Sequence, residues 1–398
     1  MRPQTVGLIV ASCVTGIFVA AVTGVLVYQN LPDRGQQGQP APGGNKMFAF
    51  NFNAQKVEVG QDIAIEENVV PFQGFEPGVN PGELPRVDGK PVALKEYKIS
   101  EPQTHGNLTV FFIHGPDAVK DMKVLMLQEA LDQNLAVVHD RGVLSIDNRS
   151  NMPIFIQSGD IVKGGNQDRT LPYDTLVPPL ARNAPLDALC VESGRSFARA
   201  GEPSSYFQTS AEQLPTRTLK LAALRKDQSG VWNNVAATQN KLTRVVGAKV
   251  NGVQSHTSLQ LTLEHPRVQE ATQEYINGLA PALAGKEDVV GYVVAVNGKV
   301  QSADVYGSAN IFQKLWPKLI RAGAVEALAE RQQGAAFTPP NAETVQAFLN
   351  DAERGQRTSV NNRNGSSVFC QQGTQTILHD TCLPRQQDVV LHRSFLAK

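Results

Sequence analysis

A stretch at 158–169, SGDIVKGGNQDR, places two glycines before an unbroken run of amide, carboxylate and guanidinium side chains. Gly164 and Gly165 permit positive φ values or a close approach of the backbone to another group. A glycine-rich bend with consecutive N–H groups can bind an anion, and Arg169 can offer a planar fork to a phosphate or carboxylate. The spacing matches neither Walker A nor the dinucleotide fingerprint. The stretch predicts either an anion-binding loop or a bulged strand in which Asp168 and Arg169 are paired with each other or with neighbouring residues.

A second polar stretch, LDALCVESGRSF at 186–197, has the same character. Cys190 has no histidine beside it to activate a thiol nucleophile, so we interpret it as a small buried residue. Glu192 and Arg195 are either a structural ion pair or site residues.

The 7 histidines show no HxH, HxxxH or HExxH spacing, and the 4 cysteines include no CxxC. These spacings predict no metal site.

The overall charge of the chain is balanced, which restricts its classes of partner. Lys+Arg and Asp+Glu each number 37, so the formal net charge is zero. Binding to a nucleic acid polymer needs a basic surplus that replaces counterions, and no run of five basic residues is present. The chain is 41% hydrophobic, a composition typical of a globular protein with a sizeable core.

The elements that position these residues follow an uncharged apolar segment at 6–27. As a helix it would be about 33 Å long, enough to cross the hydrocarbon core of a membrane. With Arg2 before it, the positive-inside rule predicts a signal anchor with a cytoplasmic flank at 1–5. A Gly/Pro/Gln-rich tether at 28–46 and an extracytoplasmic domain at 47–398 then follow. A cleaved signal peptide and a lipidated Cys13 are the alternatives.

The pattern within the domain predicts an α+β fold around a mostly antiparallel sheet. The strand-rich first half includes short β-branched or aromatic runs at 108–113, 135–139, 143–147 and 153–157. The second half is richer in helices, and Pro317 is expected to start a new helix or to kink one. Asn297-Gly298 lies between two apolar runs and predicts a hairpin with a type I′ turn. Cys370 and Cys382 are predicted to form a disulfide, which an exported compartment permits; the alternative is two unpaired thiols that lie too far apart.

Several stretches together resemble the ARG-and-rhodanese-phosphatase-superfamily-associated protein domain family. They are GDIVKGGNQDR, LCVESGR, SGVWNNV (229–235) and the hairpin and Leu-Trp-Pro segment VVAVNGKVQSADVYGSANIFQKLWPKLIRAGAVEA (293–327). The resemblance covers most of 55–395. The chain departs from the family at Ser196, where an aromatic residue usually follows the Gly-Arg; Phe197 stands one position late.

The resemblance implies a shared cleft built from the first two stretches. By position, the ligand-binding residues would be Gly164, Gly165, Gln167, Arg169, Gly194 and Arg195. Asp168 and Glu192 fall in the same two stretches and are the candidate catalytic residues if the cleft is catalytic.

The family's association with ADP-ribosylglycohydrolases and phosphatases implies a small anionic or nucleotide-like ligand related to ADP-ribose. If the cleft is catalytic, we expect hydrolysis, with Asp168 or Glu192 as general base and Arg169 or Arg195 binding negative charge. The sequence identifies no cofactor. The membrane is the partner that it predicts, through the apolar segment at 6–27. The alternative is a non-catalytic envelope module that binds another protein. Carboxylates that converge in an open cleft would favour an enzyme. Ion pairs whose partners satisfy each other under a covering loop would favour a protein-binding module.

Overall fold

A computed structural model describes residues 81–84, 87–120, 122–363 and 366–398. The predicted anchor at 6–27, the tether at 28–46 and the start of the domain at 47 lie outside these ranges. Within them, no helix is both long enough and apolar enough to cross a membrane.

The strands are numbered in chain order. They are β1 (Lys98–Ile99), β2 (Gln103–His105), β3 (Leu108–His114), β4 (Leu125–Met126), β5 (Ala136–Asp140), β6 (Leu144–Asn148), β7 (Ile154–Ile156), β8 (Ile161–Gly164), β9 (Arg169–Thr170), β10 (Thr175–Val177), β11 (Ala184–Pro185), β12 (Leu189–Cys190), β13 (Phe207–Gln208), β14 (Val289–Val296), β15 (Lys299–Tyr306), β16 (Thr358–Ser359), β17 (Ser367–Gln372), β18 (Thr376–Leu383) and β19 (Gln386–Ala397).

The helices include two short 3-10 segments, Leu94–Glu96 and Ala280–Leu283. The α-helices are α1 (Leu127–Asp132), α2 (Arg217–Leu224), α3 (Gln228–Val246), α4 (Leu259–Leu263), α5 (Pro266–Leu279), α6 (Ala309–Ala329) and α7 (Ala342–Glu353).

The largest sheet has nine strands in the order β1-β3-β14-β15-β19-β18-β17-β16, with β2 also pairing with β3. Its pairs are antiparallel throughout. Asn297 and Gly298 join β14 to β15 with φ values of 52° and 74°, as a type I′ turn requires. The predicted hairpin is therefore confirmed.

Two smaller sheets lie between β4 and β13. Their orders are β11-β6-β5-β13-β8-β9-β12 and β10-β7-β4, and β4–β7 is the parallel pair. Apolar residues of these strands, such as Ile146, Ile154 and Val162, pack into a separate buried cluster. The predicted mixed α+β fold with mostly antiparallel sheets is confirmed, although the longest strands, β14, β15, β18 and β19, lie in the second half of the chain.

Helix α6 packs against β14 and α5 and contributes to the main core. Its Trp316 ring lies 5.4 Å from the ring of Phe112 and 5.8 Å from that of Tyr292. One continuous helix passes through Pro317, so a new helix does not start there. Proline has no N–H to donate to the carbonyl four residues earlier. Burial of the neighbouring apolar side chains offsets that loss.

The predicted disulfide between Cys370 and Cys382 is wrong, because both thiols are free. In the β17–β18 register Cys370 lies opposite His379, and Cys382 lies opposite Ser367. Cys382 follows His379 by an odd number of residues, so the two cysteines point to opposite faces of the sheet and are about 10 Å apart along the strands.

Candidate functional site

The two polar stretches meet where β9 pairs with β12. Cys190 lies opposite Arg169 in this pair, and the Val191 N–H donates to the Asp168 carbonyl at 3.1 Å. The residues at this end of the two strands, Asp168 and Glu192, therefore come together. The Asp168 N–H donates to Glu192 Oε1 at 2.6 Å. The Glu192 carboxylate therefore binds the backbone of Asp168.

Asp168 is held by Arg199 in a bidentate ion pair. Arg199 donates to Asp168 Oδ1 at 2.6 Å and to Oδ2 at 2.8 Å. The Gly164 N–H donates to Oδ1 at 3.0 Å, and the Ser258 hydroxyl donates to Oδ2 at 3.0 Å. All of these neighbours are donors, so the geometry fits an ionised carboxylate that accepts hydrogen bonds only.

Glu192 is held by Arg195 and by a serine hydroxyl. Arg195 Nε donates to Glu192 Oε1 at 2.9 Å, and Ser255 donates to Oε2 at 2.7 Å. Arg199 also reaches Oε2 at 3.3 Å. Arg195 Nη1 donates to the carbonyls of Gly165 at 2.7 Å and Phe197 at 2.6 Å, and Nη2 donates to Glu192 Oε1 and to the Gly164 carbonyl. We call Asp168, Glu192, Arg195 and Arg199 the charge network.

The charge network is buried, and its four side chains form hydrogen bonds and ion pairs with one another. The side chains of Asp168, Glu192 and Arg199 are 0% exposed, and that of Arg195 is 3% exposed. Burial raises the pKa of Asp168, and the Arg199 hydrogen bonds oppose that rise. Burial also opposes ionisation of Glu192, but the hydrogen bonds from Arg195 and Ser255 outweigh it and lower the pKa of Glu192.

The two glycines of the first stretch are required by packing around this network. Gly164 has a φ of 127° and Gly165 a φ of 53°. A Cβ added at Gly165 would lie 2.8 Å from the Phe207 ring, and one at Gly164 would lie 3.3 Å from the Tyr206 carbonyl. The close backbone approach that the glycines permit is therefore to β13 and its preceding loop.

Arg169 lies away from the charge network and is not paired with Asp168. It donates to Asp140 Oδ2 at 3.1 Å and contacts Cys190 Sγ, and its side chain is 21% exposed. Gln167 is half-buried, and Gly194 is exposed with a φ of 77° and open space around it. Of the eight predicted site residues, Gly164, Gly165, Asp168, Glu192 and Arg195 come together in or directly against the charge network.

The third family stretch supports the second from α3. The Trp232 Nε1–H donates to the Glu192 carbonyl at 2.9 Å. The Gln228 side chain pairs with the backbone of Cys190, accepting from its N–H at 2.8 Å and donating to its carbonyl at 2.8 Å. Asp227 begins this helix by accepting from the Gly230 N–H, and Gly247, with a φ of 67°, ends it.

Sequence reasoning missed Arg199, Ser255 and Ser258. Of these three residues, only Arg199 had a signal in the sequence, because it is a second arginine that follows Arg195 within the same loop. Ser255 and Ser258 approach from the segment before α4 and have no distinguishing neighbours in the sequence.

A second buried polar cluster was also not predicted from the sequence. It consists of His392, Asp174, Asp304, Tyr306 and Thr381, and we call it the histidine cluster. His392 Nδ1 lies 2.7 Å from Asp174 Oδ2, and its Nε2 lies 3.2 Å from Asp304 Oδ1. The Tyr306 ring stacks on the imidazole at 4.4 Å, and Thr381 donates to Asp174 at 2.7 Å. Burial alone would lower the pKa of His392, but the two carboxylates outweigh it and raise it to about 10. The cluster thus contains a buried imidazolium between two carboxylates.

No group of three or more metal-binding side chains is placed to hold an ion within the ranges that the structure describes. No curated protein and no solved structure matches the chain. The model of the ARG and Rhodanese-Phosphatase-superfamily-associated Protein domain matches residues 96–396, which is most of the chain. The predicted resemblance is confirmed, and the chain belongs to the family of the ARG and Rhodanese-Phosphatase-superfamily-associated Protein domain.

Proposed function

We propose that this protein is a membrane-anchored, extracytoplasmic module that binds another protein and is not a hydrolase at its charge network. The supporting observation is the saturation of that network. Asp168 and Glu192 are 0% exposed and accept hydrogen bonds on both oxygens of each carboxylate. A general base must reach a substrate proton directly or through one water.

Exposed apolar side chains near the charge network support an interaction role. Phe197 is 69% exposed, Tyr206 is 49% exposed and Val253 is 91% exposed. Phe197 and Tyr206 lie in the loop that contains Arg199. Val253 lines a pocket of about 510 Å³ together with Glu202, which Arg199 also binds at 2.8 Å. Exposed apolar area is typical of protein-binding surfaces, and we propose that these three side chains belong to one.

The membrane anchoring is proposed from the uncharged segment at 6–27 and from Arg2 before it. Protease added to spheroplasts of an expressing bacterium should digest the domain and leave the anchor in the membrane. The same protease in lysed cells, with a cytoplasmic marker protein, controls for access. A domain that resists digestion until lysis would place it in the cytoplasm and end this proposal.

The rival function is binding of a small anionic or nucleotide-like ligand, followed or not by hydrolysis. For that, the loop at 193–206 would have to move away from the charge network. We expect the full chain in nonionic detergent to show no saturable rise in melting temperature with ADP-ribose, nucleotides or divalent metals. Arg169→Ala is the matched variant, because Arg169 is the more accessible arginine of the two stretches. A saturable rise that this variant loses would establish the ligand site.

A further inference from the structure

A pocket of about 270 Å³ lies between α1 and α6, away from the charge network. Its charged residues are Glu129, Asp132, Asp160, Lys314 and Lys318. Asp160 comes from the first polar stretch, and Lys318 comes from the Leu-Trp-Pro segment. Two of the stretches that define the family therefore meet at this pocket, and the proposed interaction role leaves it unexplained.

We infer that this pocket binds a small zwitterion of amino-acid size. Lys318 is the central observation, because its side chain is only 9% exposed and its Nζ lies 3.0 Å from Asp160 Oδ1. An ammonium group has three donors. Within the described ranges Lys318 makes this one hydrogen bond, so donors remain for a carboxylate in the pocket. Buried donors without partners are costly, and a bound ligand would satisfy them.

The outer part of the pocket offers the opposite charge. Lys314 is already bound to Glu129 Oε2 at 3.0 Å and to the Val124 carbonyl at 3.1 Å. Asp132 is exposed, and its carboxylate has no partner among the residues that the structure describes. A ligand carboxylate at Lys318 and a ligand ammonium group toward Asp132 would use both ends of the pocket.

The remaining walls are apolar and include a helix-interior proline. Met126, Leu127, Leu315 and Pro317 line the pocket together with the polar Gln128. Proline inside a helix costs about 3 kcal/mol because a hydrogen bond is lost. This unusual proline and the buried Lys318–Asp160 pair line the same pocket. The charge network differs, because its polar atoms are already saturated.

The first test is isothermal titration calorimetry of the full chain in nonionic detergent with each proteinogenic L-amino acid. We expect saturable heat from at least one of them. The matched ligands are the amine and the carboxylic acid that each lack one of its two charged groups, and each should bind at least about tenfold more weakly. No heat from any amino acid at millimolar concentration, or equal binding of the singly charged analogues, would overturn the inference.

The second test uses two variants chosen to remain folded. Asp132→Asn removes an exposed charge and should weaken binding by about tenfold or more. Asp160→Asn combined with Lys318→Gln replaces the ion pair by two neutral amides and should abolish binding. Glu101→Gln changes an exposed carboxylate elsewhere and should leave the Kd unchanged. Retention of the wild-type Kd in the first two variants would assign the heat to another place.

Discussion

Arg199→Met should destabilise the fold by about 3–5 kcal/mol, the range typical of a buried ion pair that loses one partner. The variant leaves Asp168 and Glu192 without Arg199 in a place where both carboxylates are 0% exposed. Arg195 remains, but it lies 3.6 Å from Asp168 Oδ1 and is committed to Glu192. Urea unfolding in nonionic detergent, followed by tryptophan fluorescence, measures the loss.

The matched control is Arg169→Ala, in the same part of the fold. Arg169 and Asp140 are 21% and 31% exposed, and pairs this accessible contribute about 0–1 kcal/mol. A small loss for Arg169→Ala beside a large loss for Arg199→Met identifies Arg199 as the structural arginine. Equal small losses would mean that the charge network contributes little to stability, and that its residues are free for another role.

His392→Asn should produce the second large effect, about 3–5 kcal/mol at pH 7. It removes the cation between Asp174 and Asp304, whose side chains are 5% and 2% exposed. The size of the change comes from the same cause as for Arg199, since two buried carboxylates lose their counter-charge. Urea unfolding at pH 7 measures it, and a variant as stable as the wild type would contradict the assignment of a buried imidazolium.

The pH dependence provides an independent measurement on the same residue. The pKa of His392 is raised from 6.5 to about 10 in the folded protein. Its stabilisation is therefore complete below pH 6.5 and is lost as the pH rises toward 10. Between pH 7 and 9 the folded state retains one proton that the unfolded state has released, so stability should fall by about 1.4 kcal/mol per pH unit. His392→Asn should lack this slope; an identical slope in both proteins would contradict the prediction.

The fold was predictable where short-range chemistry decides the structure. The glycine at 298 and the alternating runs on either side specify the β14–β15 hairpin, and the runs at 108–113 and 135–139 appear as β3 and β5. At Pro317 the predicted start of a new helix does not occur, because tertiary packing outweighs one lost hydrogen bond. The Cys370–Cys382 prediction failed because it ignored the alternation of side chains along a strand.

The same alternation explains which part of the site was predictable. Glycines beside runs of polar residues singled out Asp168, Glu192 and Arg195, which come together in the charge network. Asp168 and Arg169 are neighbours in extended backbone, so their side chains point to opposite sides and do not pair. The actual partner, Arg199, approaches from a loop. The histidine cluster joins three neighbouring strands of the nine-stranded sheet, β15, β19 and β18, to Asp174 from the segment before β10. No spacing in the sequence reports contacts between residues so far apart along the chain.

A double-mutant cycle between Asp168 and Arg199 tests the structural role of the charge network most directly. The variants are Asp168→Asn, Arg199→Gln and the double variant, each unfolded in urea under the same conditions. Residues in one buried ion pair should be coupled by about 2–3 kcal/mol, with each single variant strongly destabilised. Additive effects, with single variants as stable as the wild type, would contradict a structural network and return Asp168 to the candidates for a catalytic base.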